Sequence, residues 1–466
     1  MYLITDFIST SVAVLLFNII RYHLLTVSHH GFTSLHSFIT SPMVISGQII
    51  LPTAMMLVYT LSGYYNHIYN RSRIGELTNT MGCALIGTIG LLLTILINDL
   101  TSDRAQDYSM LLLLFALLFT VVYVPRCIIS RILRRKIRRG IISFPTVVVG
   151  YSSHPELFGS QLRNIDPESG IKAVMLCDAD NRSRSVEKLM PLPIGDIDGI
   201  SAMCAGHHAE RIILIPHPES WEKTLSVINR LLSLDLNIFI AAESLPPYLF
   251  NTRLPNIVAE PLIDVSRVHL SARTLNLKRA FDITGATLLL SLSALPMLFM
   301  AIAIKTRSKG PVFFKQQRIG LHRKPFTIYK LRTMVVNAES DNRPALSHKG
   351  DDRITPMGRV LRKYHLDELP QFYNVLRGDM SLVGPRPERL YYIEQIVARE
   401  PSYTLVHRVR PGITSLGMVK FGYASTVDEM IQRMRYDLLY LENMSIGTDL
   451  KILFYTVHNV ISGKGV

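Results

Sequence analysis

Lys278-Arg279-Ala-Phe-Asp282-Ile-Thr-Gly-Ala-Thr-Leu-Leu-Leu-Ser291-Leu-Ser293-Ala-Leu295-Pro296-Met-Leu-Phe-Met-Ala-Ile-Ala-Ile304-Lys305-Thr-Arg307 is one apolar run with basic residues at both ends. Residues 283–304 are long enough to cross a bilayer. Lys278 and Arg279 precede them, while Lys305, Arg307 and Lys309 follow. A spanning helix would strand one basic cluster on the outer face, against the positive-inside rule. Pro296 lies past the middle of the run and lacks the N–H that a continuous helix uses, so a kink is expected there. A hairpin-like, re-entrant helix that enters and leaves by the cytoplasmic face satisfies both observations. Ser291 and Ser293 would help to satisfy backbone groups freed at the bend. The alternative is an ordinary fifth span with an odd charge balance. The clustered charge also suits anionic membrane lipids.

Upstream, four further apolar runs of spanning length occur, at about 5–26, 42–62, 80–98 and 108–125. The first has neither a basic leader nor a small-residue cleavage site, so a cleaved signal peptide is not expected. Arg71 and Arg73 sit in the loop after the second run; Arg126, Arg131, Arg134, Arg135, Lys136, Arg138 and Arg139 follow the fourth. The loop near 99–107 is acidic. This asymmetry predicts a four-helix membrane bundle over 1–130 with both ends in the cytoplasm. The formal charge of +14 and hydrophobic content of 48% agree with a basic membrane protein. With one Trp and no legible nucleic-acid module, no nucleic-acid partner is expected. The four cysteines, Cys83, Cys127, Cys177 and Cys204, lack the spacing of a zinc site or a disulfide framework.

From about 141 the pattern changes. Thr146-Val-Val-Val-Gly150, Ala173-Val-Met-Leu and Arg211-Ile-Ile-Leu-Ile read as buried strands, with a helical stretch over 218–234. A small Rossmann-like α/β domain with a parallel sheet is predicted for 141–270. The dinucleotide fingerprint would need glycines where Ser152 and Pro155 stand, which favours a regulatory or assembly role over cofactor binding. Asp178 is then a strand-end acid.

The C-terminal part, 278–466, carries the chemistry. Arg362-Lys-Tyr-His365-Leu-Asp367-Glu368-Leu-Pro370-Gln371 is followed by Gly378-Asp379-Met-Ser-Leu-Val-Gly384-Pro385-Arg386-Pro387. An adjacent acidic pair usually lies on a solvated helix face. Here it is flanked by basic residues and a rigid Pro-Arg-Pro, which concentrates a nucleophile, metal-ligating oxygens and phosphate-binding groups. Around it stand Gly310-Pro-Val-Phe313-Phe-Lys-Gln-Gln-Arg318-Ile-Gly320, Phe326-Thr-Ile-Tyr329-Lys330-Leu-Arg332-Thr-Met334, Asp352-Arg-Ile-Thr-Pro-Met-Gly358, Arg408-Val-Arg410-Pro-Gly-Ile-Thr414 and Tyr436-Asp437-Leu-Leu-Tyr440.

In order and spacing these strings, opened by Lys278-Arg279-Ala-Phe281-Asp282, resemble the bacterial sugar transferases, or monotopic phosphoglycosyl transferases, over the whole of 278–466. By architecture, the rest is similar to the large members, in which a four-helix membrane bundle and a Rossmann-like domain precede a mainly α catalytic domain with a re-entrant helix. The resemblance implies transfer of a sugar 1-phosphate from a UDP-sugar to undecaprenyl phosphate with release of UMP, on the cytoplasmic side of the bacterial inner membrane. It implies Asp367 as nucleophile, forming a covalent phosphosugar-aspartate intermediate, with Glu368 in support and Mg²⁺ held by Asp367 and Glu368. It further implies Arg362 and Arg410 as phosphate ligands and Pro385, Arg386 and Pro387 around the uridine nucleotide. Asp437 and Lys330 complete the implied site. Lys278, Arg279, Asp282 and Pro296 belong to the re-entrant helix. Two departures from the family pattern stand out: Leu295 where a serine usually precedes the proline, and Tyr364-His365 where Thr-Ser is usual.

The physical logic suits those residues. Attack by one anion on another is opposed by charge, so cations must neutralise the phosphoryl oxygens. A carboxylate nucleophile splits the transfer into two displacements. Two other classes remain: a membrane-attached nucleotide-sugar oxidoreductase using the middle domain, and a non-catalytic scaffold. Missing glycines and the lack of a Tyr-x-x-x-Lys pair in that domain oppose the first, and the intact acidic dyad opposes the second. No motif separates glucose, galactose and N-acetylated sugars, or exopolysaccharide, capsule and O-antigen (lipopolysaccharide) pathways. A homodimer is the expected assembly.

Overall fold

The computed structural model describes residues 1–25, 34–66, 68, 73–91, 104–139, 141–151, 153, 158–160, 162, 170–178, 192–234, 236–241, 262–265, 271–336, 338 and 351–462. These form two compact units, Met1–Ser143 with Ser271–Leu277, and Phe144–Leu270 with Lys278–Val466.

In the first unit the long helices are α1 (Tyr2–Leu25), α3 (Pro42–Leu61), α4 (Arg73–Leu91) and α5 (Arg104–Arg138), with a short α2 (Leu35–Ile39) between the first two. Pro42 starts α3 at a position where a missing N–H costs nothing. Among the described residues, four helical stretches are long and apolar enough to cross a membrane: Tyr2–Leu24, Pro42–Leu61, Tyr108–Ile137 and Ala272–Arg307. Of the run expected at 80–98, residues 80–91 lie in α4, which begins earlier at Arg73, and residues 92–98 lie outside the described residues. Within the mostly exposed first turns of α4 Glu76 is buried, accepting hydrogen bonds from Tyr64 Oη at 3.0 Å and Ser130 Oγ at 2.7 Å.

The fourth span also runs on, past Pro125 and through the basic segment to Arg138. Arg126 explains this. Its side chain is fully buried and turns inward, where Nε and Nη2 reach the two carboxylate oxygens of Asp6 at 2.9 and 2.7 Å and Nη1 reaches Thr80 Oγ1 at 3.0 Å. The guanidinium also lies 3.6 Å from the ring centroid of Tyr64 and 4.3 Å from that of Tyr59. One of the charges assigned by sequence to the cytoplasmic flank is therefore an interior pair.

The second unit contains a six-stranded sheet of order β3-β2-β1-β4-β5-β6. Its strands are β1 (Thr146–Gly150), β2 (Ile171–Leu176), β3 (Ile194–Asp196), β4 (Arg211–Leu214), β5 (Asn237–Ala241) and β6 (Leu262–Asp264). All neighbours pair in parallel except β5 and β6. Both faces are covered, so the central strands are apolar throughout rather than alternating. Helices α6 (Ile200–Gly206) and α7 (Trp221–Leu232) follow β3 and β4. Gly150 sits under the Phe158 ring, whose atoms would lie 2.2 Å from a Cβ there. Asp178, at the end of β2, accepts from the Ser153 N–H at 3.1 Å.

The rest of the unit begins at Lys278 within α8 (Ala272–Arg307), one continuous helix with Pro296 inside it where the sequence predicted a bend. Next come the hairpin β7 (Phe313–Ile319) and β8 (Pro325–Leu331), α9 (Pro356–Lys363), α10 (Gln371–Arg377), β9 (Ser381–Val383), α11 (Leu390–Arg399), β10 (Gly412–Thr414), α12 (Leu416–Lys420), α13 (Val427–Glu442) and α14 (Ile446–Ile461). Two stretches of α8 are fastened to this body. Near its start, Lys278 Nζ lies 2.6 Å from Asp449 Oδ2, Asp282 accepts from Ser381 Oγ at 2.8 Å and the Leu382 N–H at 3.0 Å, and Arg279 donates to the carbonyl of Val375 at 2.8 Å. Near its end, Met300 and Ile304 pack with Leu331 and Leu361, and Arg332 donates to the carbonyls of Ser308 and Lys309 at 3.0 and 2.9 Å. Between these points Leu288, Leu292, Leu295, Leu298 and Phe299 are exposed.

Candidate active site

The acidic pair stands on a sharp reversal between two short helices. Thr355 caps α9 by accepting from the Gly358 N–H at 3.0 Å, and Pro356 fills the first turn. Only glycine fits at 358, since a Cβ would fall 2.0 Å from the Thr333 carbonyl oxygen. The helix stops at Tyr364 because His365 takes a left-handed conformation, φ 54° and ψ 22°. That conformation costs a non-glycine residue about 1 kcal/mol. It turns the chain into the tight turn Leu366–Glu368, and Leu366 and Leu369 lock it by packing near the end of α8. The His365 ring lies parallel to Tyr423, and its Nδ1 is 3.3 Å from the Tyr423 hydroxyl.

Asp367 and Glu368 then face a cleft of about 400 Å³, together with Lys330, Arg362 and Arg386. Lys330 projects from β8 and places Nζ 2.6 Å from Glu368 Oε1. Arg362 is held by a 2.9 Å hydrogen bond from Nε to Thr333 Oγ1. Arg386, between its two prolines, is steered by its backbone N–H to Asp437 at 3.4 Å and by its guanidinium over the Tyr423 ring.

The two carboxyls are electrostatically distinct. Burial pushes the Asp367 carboxyl up from the usual range, opposed by Lys330. Burial acts on Glu368 too, but Lys330 and Arg386 outweigh it and bring that carboxyl down to about 2. Glu368 is thus the fixed anion, and Asp367 the carboxylate with the higher proton affinity.

Not every expected residue lines this cleft. Asp437 is buried behind it, accepting from the Gly417 N–H at 2.9 Å, and burial raises it to about 6. Arg410 donates from Nε to the Gly378 carbonyl at 2.9 Å, and neither it, Pro385 nor Pro387 lines the cleft. Lys278, Arg279 and Asp282 anchor α8 as described, and Pro296 lies in the exposed stretch of that helix.

The cleft also holds residues that sequence reasoning missed. Glu388 is buried and gathers three arginines: Arg433 Nη2 at 2.6 Å, Arg318 Nη1 at 3.2 Å and Arg386 Nε at 3.9 Å. A signal existed for Glu388, which directly follows Pro387, and for Arg318 in its glycine-bounded string. Arg433 carries none, because it reads as one of two arginines on α13.

Among the described residues no group of three or more His, Cys, Asp and Glu is placed to hold a metal. Of the cleft's carboxylates, Glu388 is taken up by its three arginines, and the Asp367–Glu368 pair suits Mg²⁺ completed by substrate phosphates and water rather than a closed protein cage.

A family model described as bacterial sugar transferase matches residues 273–463. The chain is 41% identical to a UDP-N-acetylgalactosamine-undecaprenyl-phosphate N-acetylgalactosaminephosphotransferase of Aeromonas hydrophila, over 41% of this chain and 44% of that one. It is 36% identical to a UDP-glucose:undecaprenyl-phosphate glucose-1-phosphate transferase of Klebsiella pneumoniae, over 53% and 54%. A protein of the same description from Xanthomonas campestris pv. campestris is 30% identical over 72% of each chain. The match thus spans about half the length of the first two relatives and nearly three quarters of the third.

Proposed function

Because this chain belongs to the bacterial sugar transferase family, we propose that it moves a sugar 1-phosphate from a UDP-sugar to undecaprenyl phosphate and releases UMP. The observation that carries this is the buried Asp367 beside the half-buried Glu368, in a cleft shared with Lys330, Arg362 and Arg386. An Asp367 carboxylate oxygen attacks the sugar-bearing phosphorus of the donor, the bond to the bridging oxygen breaks, and UMP leaves. The sugar phosphate is then an acyl phosphate on Asp367. A phosphate oxygen of the lipid attacks the same phosphorus, the acyl–phosphorus bond breaks, and the Asp367 carboxylate returns with undecaprenyl diphosphate-sugar as product.

Lys330, Arg362 and Arg386 offset phosphoryl charge in both displacements. Asp367 and Glu368 would hold Mg²⁺ with the substrate phosphates; when bound, it neutralises charge on the phosphoryl oxygens. Glu368, ionised through the working pH range, keeps Lys330 in place. Asp437 and Arg410 act from behind the cleft, by fixing the 384–387 loop and the 378 turn.

We also infer that α8 is re-entrant, with both ends at the cytoplasmic face of the inner membrane. The support is that stretches near its start and end are fastened to one polar catalytic body, with basic residues at each end and bare apolar surface between. We take the middle sheet as Rossmann-like on its strand order, with an assembly role in a homodimer, and anionic lipids as the partners of the exposed Lys305, Arg307 and Lys309 at the end of α8. The product would feed exopolysaccharide, capsule or O-antigen synthesis. UMP release from a panel of UDP-sugars, in membranes containing the chain and undecaprenyl phosphate, tests the reaction; no release from any donor would refute it.

A further inference from the structure

The cleft has a direction, set by the register of the β7/β8 hairpin. Phe314 pairs with Lys330, Gln316 with Ile328 and Arg318 with Phe326. Residues two apart on a strand share a face, as do cross-strand partners. Phe314, Gln316, Arg318 and Lys330 therefore form one row, and all four line the cleft. The row runs roughly 13 Å from Phe314 to Arg318, at about 3.3 Å per residue.

Its two ends differ in chemistry. Arg318 is held in the arginine cluster around Glu388. Phe314 lies at the end nearer α8: Arg332, one residue beyond β8, donates to the carbonyls of Ser308 and Lys309. A Cβ on Gly310 would lie 2.8 Å from Val336 Cγ2, so Val336 stands against the turn that leaves the membrane helix. Phe313, Phe314, Val335 and Val336 are 49%, 43%, 51% and 63% exposed, yet all line the same cleft as Asp367. Single exposed apolar residues are ordinary, but a set on the lip of a strongly charged cleft, next to the end of an apolar helix, marks a binding surface.

Resting on the transfer reaction proposed above, we infer that this lip receives the isoprenoid chain of the lipid acceptor next to its phosphate. The acceptor phosphate then lies at Lys330 and Arg362, and the Arg318–Arg386 end is left to the nucleotide donor. Charge and apolarity match this occupant at both positions: cations stand where its phosphate sits, and apolar side chains lead from there toward the end of α8.

The test uses the full chain in lipid nanodiscs. Phe314→Ser, Val336→Ser and the double variant are assayed for UMP release with undecaprenyl phosphate and with dimethylallyl phosphate as acceptors. The double variant is expected to raise the KM for undecaprenyl phosphate about tenfold, as loss of apolar contact at two side chains implies. The KM for UDP-sugar and kcat at saturating acceptor should stay within about twofold, as expected of uniform binding lost. Dimethylallyl phosphate, with little chain to lose, should be affected less. An unchanged KM for undecaprenyl phosphate, or an equal rise in the donor KM, overturns the assignment. A photoreactive benzoylphenylalanine at position 336 should also crosslink labelled undecaprenyl phosphate, with competition by unlabelled lipid and none by UDP; absence of that adduct counts against the lip. If the unmodified chain turns over and the variants match it, the lip assignment alone fails. If it releases no UMP at all, the transfer reaction fails, and the crosslink still judges the lip.

Discussion

Lys330 Nζ lies 2.6 Å from Glu368 Oε1, joining the hairpin to the turn that carries the acidic pair. This ion pair is largely removed from solvent, so breaking it leaves an uncompensated charge. Lys330→Met should lower kcat about 100-fold or more, since two carboxylates then face the phosphates without their nearest cation. Lys330→Arg should recover part of the loss. Steady-state UMP release with both variants checks this, and a Lys330→Met enzyme of normal kcat would contradict it.

Asp367→Asn keeps the shape of the side chain and removes its nucleophilic charge. Turnover should fall at least about 1,000-fold while the melting temperature changes little. Glu368→Gln should also be severely impaired. EDTA should halt the unmodified enzyme and added Mg²⁺ restore it. Brief reaction with sugar-labelled donor, followed by denaturation and mass spectrometry, should find the adduct on Asp367 only.

His407 is buried beside Arg323, and burial first, then that charge, brings its imidazole down from 6.5 to about 4. It is therefore neutral in the folded chain, and its contribution to stability is complete above about pH 6.5. That contribution is lost as pH falls from 6.5 through 4, by up to about 3 kcal/mol. Asp437 has the opposite sign: raised from 3.8 to about 6, it favours the fold below 3.8 and ceases to do so as pH rises through 6. Denaturant unfolding followed by Trp221 fluorescence, in the parent and His407→Gln, should separate the two. The variant should lose less stability between pH 7 and 4.5.

Arg126 and Asp6 form a buried bidentate pair in the N-terminal bundle. Arg126→Met alone should destabilise the bundle by about 3–5 kcal/mol, because the Asp6 charge loses its counter-ion and keeps only the Tyr65 hydroxyl. The Arg126→Met/Asp6→Leu double variant should recover much of that. Thermal unfolding in detergent reads the difference, and equal losses in the single and double variants would show that the charges are not coupled.

The topology of α8 is open to labelling. Cysteines at Ser271 and Thr306, both exposed, should resist an impermeant thiol reagent added from the periplasm in a cysteine-free background. A cysteine at Ser102, in the acidic loop that the sequence places outside, should react. Labelling at position 306 from outside would put the catalytic body on the side without UDP-sugar, and the proposed function would fall with it. Pro296→Leu should favour a true span.

The sequence by itself determined the apolar runs, the buried strands and the chemical inventory near the acidic pair. Apolar length, strand-like runs and adjacent motifs are local properties, and local properties survive in one dimension. Thr146–Gly150 needed no partner to read as a buried strand, and Asp367, Glu368 and Arg386 could be singled out from their neighbours alone. Tertiary structure decided which charges meet. Arg126 finds Asp6 across 120 residues, Lys278 finds Asp449 across 171, and Lys330 reaches Glu368 only because the hairpin lies against the turn opened by His365. Glu388 shows the same limit: an ordinary acid in the chain, it becomes the centre of three arginines once α13 and β7 converge on it. Such pairs depend on the packing of distant segments, and burial then gives each charge an energy that no local pattern encodes.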